Sequence, residues 1–206
     1  EELPETRVSI SEETLPNTGK IYYYWSPGDE IGVFTDLPSE GNICFKNTET
    51  QQNVRTAAFS SASKVTGTPT FAYYPYSETA GTDLSAIKGQ IPSDQVINAE
   101  LDNIPGICRY GYFISTDENT SFFGFRHVMS TVRFHIDVAG TPLEGRKLHN
   151  LQISVKRGDR AVSVCGDFTF NAETGEHVVG TNKSNTFNVT FEGTPTRDSD
   201  VTFYTT

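Results

Sequence analysis

Histidines and cysteines are the first side chains to consider for catalysis or metal binding in this sequence. The histidines are His127, His135, His149 and His177, and the cysteines are Cys44, Cys108 and Cys165. His127 and His135 share one face of a predicted strand, but at ~3.3 Å per residue they lie about 26 Å apart, so one metal ion cannot join them. The cysteines form no CxxC pair and are odd in number, which favours buried free thiols. The pattern predicts no metal site, no cofactor site and surface-facing histidines without a catalytic role.

The acidic residues form short pairs that lack the partners needed for calcium binding or acid–base catalysis. Asp117-Glu118 and Asp198-Ser199-Asp200 both fall in predicted turns, where solvated carboxylates are common. Two distant acids could still converge for glycoside hydrolysis, but no spacing in the sequence indicates such a pair. The GxSxG, HExxH, P-loop and dinucleotide-binding patterns are also missing. We therefore expect that the protein is not an enzyme, and a hydrolase ranks third among the candidate functions.

The tripeptide Arg157-Gly158-Asp159 can be interpreted in two ways. An exposed Arg–Gly–Asp sequence can be bound by integrin-type receptors. Gly-Asp is also ordinary turn chemistry, because both residues suit hairpin turns. A tripeptide is short, and the surrounding pattern predicts a hairpin, so the turn interpretation is favoured.

Two tyrosine clusters, at residues 22–24 and 73–76, also allow two interpretations. Exposed aromatic rings can stack on sugars, as a carbohydrate-binding surface would require. Consecutive strand residues alternate between faces, however, so one face of each cluster is expected to belong to the core. The exposure of Trp25 and of the tyrosines distinguishes a sugar-binding surface from a structural one.

Composition and charge restrict the classes of partner. The 206 residues carry a formal net charge of −10, with a pI of about 4.8, so the basic surface that nucleic acids and anionic membranes require is missing. Hydrophobic residues make up 35% and aromatic residues 12%, which suits a strand protein in which only alternate residues are buried. No apolar run is long enough for a membrane-spanning helix. These features favour an acidic, secreted protein that binds no nucleic acid.

Short β-strands are the elements that must position these side chains. In the stretch 21–35, two apolar runs flank Ser26-Pro27-Gly28-Asp29, where proline and glycine predict a type II turn. After the turn, Ile31 and Val33 fall on one side of the strand and Phe34 on the other. Many later runs alternate in the same way and no segment has a helical period, so an all-β fold is predicted.

Loop composition predicts two domains. Loops before residue 122 are long and rich in proline, whereas regular hairpins follow it, so we expect two antiparallel β-sandwich domains at 1–122 and 123–206. The final pattern at 201–206 predicts a strand in which the sequence stops, and the second domain is therefore expected to be incomplete.

The longest predicted strand runs from Phe122 to Val138. Its core face is expected to comprise Val128, Val132, Phe134, Ile136 and Val138, and its outer face His127, Met129, Arg133 and His135.

Three motifs follow one another in the first two thirds of the chain: W-x-x-G-D-x-I-x-V at 25–33, YYPY at 73–76 and F-x-H-x-M-S at 125–130. Together with the order of the strands around them, they resemble the fimbrillin-like family, the pilus subunits of Bacteroides and related anaerobes. The resemblance covers residues 6–140, and beyond Gly140 only the architecture is similar.

The resemblance implies two transthyretin-like β-sandwiches, export as a lipoprotein and assembly into surface fimbriae without a cofactor. Members of this family polymerise by strand exchange. A protease cleaves after a basic residue, the N-terminal strand leaves, and a strand of another subunit fills the groove. Other fimbrial subunits are therefore expected partners, together with ligands on host or bacterial surfaces. The position in the pilus stays open, and a surface glycan-binding β-sandwich protein is the second candidate function.

The segment Thr6–Ser11 alternates and is expected to be the replaceable strand, with Val8 and Ile10 as its groove anchors. Lys20 is the preferred cleavage site because it follows this strand, and Arg7 is the other candidate. The alternative is that the segment is a permanent strand and Lys20 an ordinary loop lysine.

Overall fold

The computed structural model describes residues 9–12, 21–98, 107–117, 120–192 and 200–205, and within them it forms strands but no α-helix. The strands are β1 (Ser9–Glu12), β2 (Ile21–Tyr24), β3 (Glu30–Thr35), β4 (Ile43–Asn47), β5 (Phe59–Ser60), β6 (Pro69–Tyr74), β7 (Ile87–Ile91), β8 (Asp94–Asn98), β9 (Arg109–Asp117), β10 (Thr120–His127), β11 (Val132–Asp137), β12 (Asn150–Ser154), β13 (Lys156–Arg157), β14 (Arg160–Ala161), β15 (Cys165–Phe170), β16 (His177–Ser184), β17 (Thr186–Glu192) and β18 (Asp200–Thr205). A 3₁₀ turn spans Glu78–Ala80. The predicted all-β fold class is confirmed.

The largest sheet has six antiparallel strands in the order β10-β9-β6-β3-β4-β5. Both faces of β3 are buried. Ile31 and Val33 belong to one apolar cluster and Phe34 to a second cluster on the opposite face. The predicted division of these side chains between the two faces is confirmed, and β3 therefore lies between the two apolar clusters.

A second sheet, with the order β16-β15-β7, packs against the six-stranded sheet. Phe34 and Phe71 of the larger sheet share a buried cluster with Ile87 of β7 and Phe170 of β15. Two sheets that bury side chains between their facing surfaces form a sandwich. Burial of these large side chains away from water is the main force that holds the two sheets together.

The third sheet has the order β12-β17-β8, and its β17–β8 pair is parallel, unlike the other pairs in the described ranges. Asn188 to Glu192 of β17 pair with Asp94 to Asn98 of β8. β7 pairs with β15 in the antiparallel direction. Strands before residue 122 therefore pair with strands after it. The domain boundary near residue 122 stays a prediction, and any division of the chain must accommodate these two pairs.

The long strand predicted from Phe122 to Val138 is wrong as a single element. β10 ends at His127, the chain bends at Val128 and Met129, and β11 begins at Val132 in a different sheet, where it pairs with β18. Alternation of apolar residues is a local pattern. It continues across a bend without showing which sheet each half joins.

The predicted core face of this stretch is also only partly correct. Val132 is 48% exposed, Phe134 and Ile136 are half-buried, and Val138 is buried. His135 is exposed, as predicted. Val132 belongs to β11, which forms a two-stranded sheet with β18. Within the described residues, no strand therefore flanks the other edge of β11.

Candidate functional site

The turn at residues 26–29 is held by backbone and side-chain hydrogen bonds. Gly28 has φ of 86°, and the backbone N–H of Asp29 donates to the Ser26 carbonyl at 3.1 Å, which confirms the predicted turn. The buried Asp29 carboxylate accepts the Ser26 N–H at 2.7 Å, and Asn47 Nδ2 donates to the Ser26 carbonyl at 2.7 Å. These bonds satisfy buried polar groups and attach the turn to β4.

Trp25, which precedes the turn, is buried and is only 6% exposed. Its ring makes edge contacts with Phe59, Tyr74 and Phe125 at centroid distances of 5.1 to 5.3 Å. Such edge-to-face pairs stabilise a core beyond simple burial. Tyr73 is buried as well, as is Tyr74. Trp25 and these tyrosines are therefore not the exposed platform that sugar stacking would need.

Arg109 is a buried cation within this aromatic cluster, with 5% exposure. Its guanidinium carbon lies 5.0 Å from the Trp25 ring centroid and 5.1 Å from that of Tyr23. Within the described residues, Nε and Nη2 have no hydrogen-bond partner, so contacts with ring faces replace part of the lost hydration. Burial lowers the pKa of Arg109 to about 10, against the opposing charges of Tyr74 and Asp29, and the side chain stays charged at neutral pH.

His127 lies directly opposite Arg109 in the β9–β10 ladder. Its ring centroid is 4.1 Å from that of Tyr23, and its buried Nδ1 has no partner among the described residues. Burial, and then the charge of Arg109, lower the pKa of His127 to about 4. The predicted surface-facing position is wrong for this histidine, because Tyr23 covers its ring. The sequence had no local signal for the Arg109–His127 pair, since cross-strand neighbours depend on register.

The N-terminal strand pair, β1 with β2, connects to this cluster through Tyr23. The Tyr23 hydroxyl donates to Thr131 Oγ1 at 2.9 Å, and its ring contacts His127 and Arg109. β1 is antiparallel to β2, with Ile10 opposite Tyr23 in the register. In the described ranges, β1 pairs with β2 alone, and β2 with β1 alone.

The other predicted residues of the N-terminal site fall outside the described residues. Arg7 and Val8 precede β1, and Lys20 precedes β2. Of the four candidate residues, Ile10 is therefore the one whose backbone position is given, within the predicted strand Thr6–Ser11. The roles of all four stay predictions.

The three thiols are free, and Cys108 and Cys165 are buried while Cys44 is half-buried. Burial raises the pKa of Cys108 to about 12, which keeps the thiol protonated and unreactive. In the part of the chain that the structure describes, no three His, Cys, Asp or Glu side chains come together as a metal site. Its elements also include no helix with the length and apolarity to span a membrane.

Exposed aromatic residues lie on the hairpin of β9 and β10. The pairing of β9 with β6 ends at Tyr112, so the residues of β9 beyond it pair, among the described strands, with β10 alone. Tyr112, Phe113, Ile114 and Phe122 are all exposed on this ribbon, and Arg126 lies 4.7 Å from the Tyr112 ring centroid. Apolar residues grouped at a surface often mark a contact site.

Neither a family model nor a curated protein matches this sequence. A solved protein from Bacteroides ovatus ATCC 8483, provisionally described as a cell adhesion protein, is similar in structure. It has 14% sequence identity to this chain, and the superposition covers 96% of this chain and 76% of that one, with a TM-score of 0.39. At this distance the function has to be argued from the residues of this chain.

Proposed function

We propose that this chain is a structural, adhesive subunit of cell-surface fimbriae that assembles by strand exchange. The observation that carries the proposal is the pairing of β1, a four-residue strand that among the described strands is attached to β2 alone, by one ladder. Its removal would break that ladder and leave the edge of β2 open for a strand from another subunit. In the β1–β2 register Ile10 lies opposite Tyr23, the β2 residue that contacts His127 and Arg109, and this register supports its proposed role as a groove anchor.

Several further features are consistent with this role but are also proposals. The chain would be exported as a lipid-anchored precursor and displayed at the cell surface. We expect it to have no enzymatic activity. Burial of Trp25 in an aromatic core suits a scaffold that keeps its shape while its edge strands are exchanged.

Limited trypsin digestion of the full chain tests this function. We expect cleavage at Lys20, loss of the N-terminal peptide and growth of oligomers that size analysis detects. Lys20→Gln should suppress all three, whereas Arg7→Gln should leave them intact if Lys20 is the preferred site. Lys64→Gln, at an exposed loop lysine, is the matched control and should behave like the unchanged chain. A cleaved protein that loses the peptide and stays monomeric would refute the proposal.

Surface glycan binding is the second candidate function, and the exposed ribbon of β9 and β10 is the observation that favours it. Tyr112 and Phe113 are each 43% exposed and could stack on sugar rings. A glycan array would detect this activity, and Tyr112→Ala should then remove the signal. A signal that survives in Tyr112→Ala but is lost in Phe113→Ala would still support glycan binding and would identify Phe113 as the residue that stacks on the sugar.

A further inference from the structure

The hairpin of β13 and β14 presents residues 157–159 at its tip. Arg157 pairs with Arg160 across the hairpin, so Gly158 and Asp159 form a two-residue turn. Gly158 has φ of 61°, the positive value that a type II′ turn has at its first central residue. The predicted hairpin is therefore confirmed. It gives the tripeptide a defined backbone, which lowers the ordering cost that a long flexible loop would have on binding.

No described residue covers this tip. All residues from Lys156 to Ala161 are exposed, and a methyl group added at Gly158 would have no atom within 4 Å. Within the described ranges, neither the Arg157 nor the Asp159 side chain forms a hydrogen bond or an ion pair. Both side chains are available to a partner without the loss of an internal contact.

The two free side chains suit two different groups on one partner. A carboxylate such as that of Asp159 is a hard oxygen ligand for a divalent cation. The guanidinium of Arg157 can bind a carboxylate through two parallel hydrogen bonds. Gly158 separates them and places no side chain between them. A partner that holds a divalent cation with an open coordination position, next to an acidic pocket, would bind Asp159 through the cation and Arg157 through the pocket at the same time.

We propose that residues 156–161 form a receptor-binding loop whose partner is a cation-bearing surface receptor of the integrin type. The proposal rests on the surface display proposed above but not on strand exchange, because a single folded chain suffices for binding. A polyanion such as a sulfated glycan is the competing occupant, since Lys156, Arg157 and Arg160 make the tip basic on a chain of net charge −10. Asp159 at the apex would repel a polyanion, which favours the cation-bearing receptor.

Binding of the purified full chain to an immobilised integrin-type receptor ectodomain, in buffer with Mn²⁺, tests the proposal. We expect binding that chelation of the cation abolishes and that a linear Arg–Gly–Asp peptide competes away. Asp159→Glu keeps the charge but adds a methylene, which changes the spacing between the carboxylate and the guanidinium, so the two groups can no longer fit the cation and the acidic pocket together. We expect this variant to lose more than about tenfold in affinity.

Arg157→Lys and Arg160→Lys form a matched pair at opposite positions of the same turn. Both keep the charge, but only the first removes the proposed paired hydrogen bonds, so affinity should fall in Arg157→Lys and stay unchanged in Arg160→Lys. All these residues are exposed, and circular dichroism should show the same fold in every variant. Absence of binding would overturn the proposal. So would binding that survives chelation and Asp159→Glu but falls with salt, which would instead indicate a polyanion site.

Discussion

At the scale of single residues, the contacts of Tyr23 join the N-terminal strand pair to the buried Arg109 and the half-buried His127. Arg109 is held over aromatic faces, and His127 lies beside it with an unpartnered Nδ1. A second positive charge at His127 would lie next to Arg109 in a region largely shielded from water. The cluster therefore tolerates a neutral histidine and resists a protonated one.

This arrangement predicts a loss of stability in mild acid. The pKa of His127 is about 4 in the folded chain, whereas the ordinary value is 6.5. Between these two values the unfolded chain binds more protons, so the free energy of unfolding should fall as the pH drops from 6.5 to about 4. His127→Phe keeps a ring against Tyr23 without a titrating group, and it should flatten this slope in urea titrations.

His135→Phe is the control, because it makes the same substitution at an exposed histidine outside this cluster. Hydrogen bonds from Thr66 lower the pKa of Glu40 from 4.5 to about 2. The contribution of Glu40 to the free energy of unfolding is therefore lost at lower pH, as the pH falls from 4.5 to about 2. An unaltered slope in His127→Phe would show that the histidine is not part of the acid response.

At the scale of elements, local pattern predicted conformation better than it predicted pairing. The Pro27-Gly28 turn, the two faces of β3 and the β13–β14 hairpin follow from turn chemistry and alternation, and the structure confirms them. The bend after β10 and the parallel β17–β8 pair depend on partners far along the chain. Arg109 was missed for the same reason, because long basic side chains are normally exposed and its aromatic partners come from other strands.

Two valines on different strands test the observed burial. Val189 on β17 is fully buried, whereas Val132 on β11 is 48% exposed. Val189→Ala should lower the free energy of unfolding by about 1.5–3 kcal/mol, because it removes buried methyl groups and leaves a cavity. Val132→Ala should cost about 0.5 kcal/mol or less. Urea titration of both variants measures the difference, and equal losses would contradict the burial of β17 relative to β11.

At the scale of the whole molecule, three strand pairs of the described ranges connect the halves of the chain. Residue 122 lies within β10, and residues 123–127 of that strand pair with β9. β7 and β8 lie before residue 122, and their partners β15 and β17 follow it. The core cluster around Phe187 and Val189 also includes Ile97 of β8. Separation of the chain near residue 122 would therefore remove both backbone partners and buried side chains from the second half.

Expression of residues 1–122 and 123–206 as separate chains tests this dependence. We expect the second fragment to lack a cooperative unfolding transition, because β15 and β17 lose β7 and β8. A fragment that begins at Ile87 keeps both strands and is the matched comparison, which should recover more strand signal in circular dichroism. Cooperative unfolding of 123–206 alone would support two independent domains instead.

Strand exchange is the central claim, and a reversible lock on β1 tests it most directly. Ser11 lies opposite Tyr22 in the β1–β2 register. Directly opposed Cβ atoms are about 4.5–5.5 Å apart, close enough for a disulfide after a small adjustment. The variant Ser11→Cys with Tyr22→Cys would hold the strand in place when oxidised and release it when reduced. Each single substitution serves as a control for the altered side chain.

The measurement is the size distribution of this double variant after trypsin digestion, with and without reductant. We predict that the oxidised chain is cut yet stays monomeric, because β1 is still bonded to β2, and that reduction starts oligomer growth. The single variants should form oligomers in both conditions. Equal oligomer growth in the oxidised and reduced double variant, or none in either, would contradict strand exchange at β1.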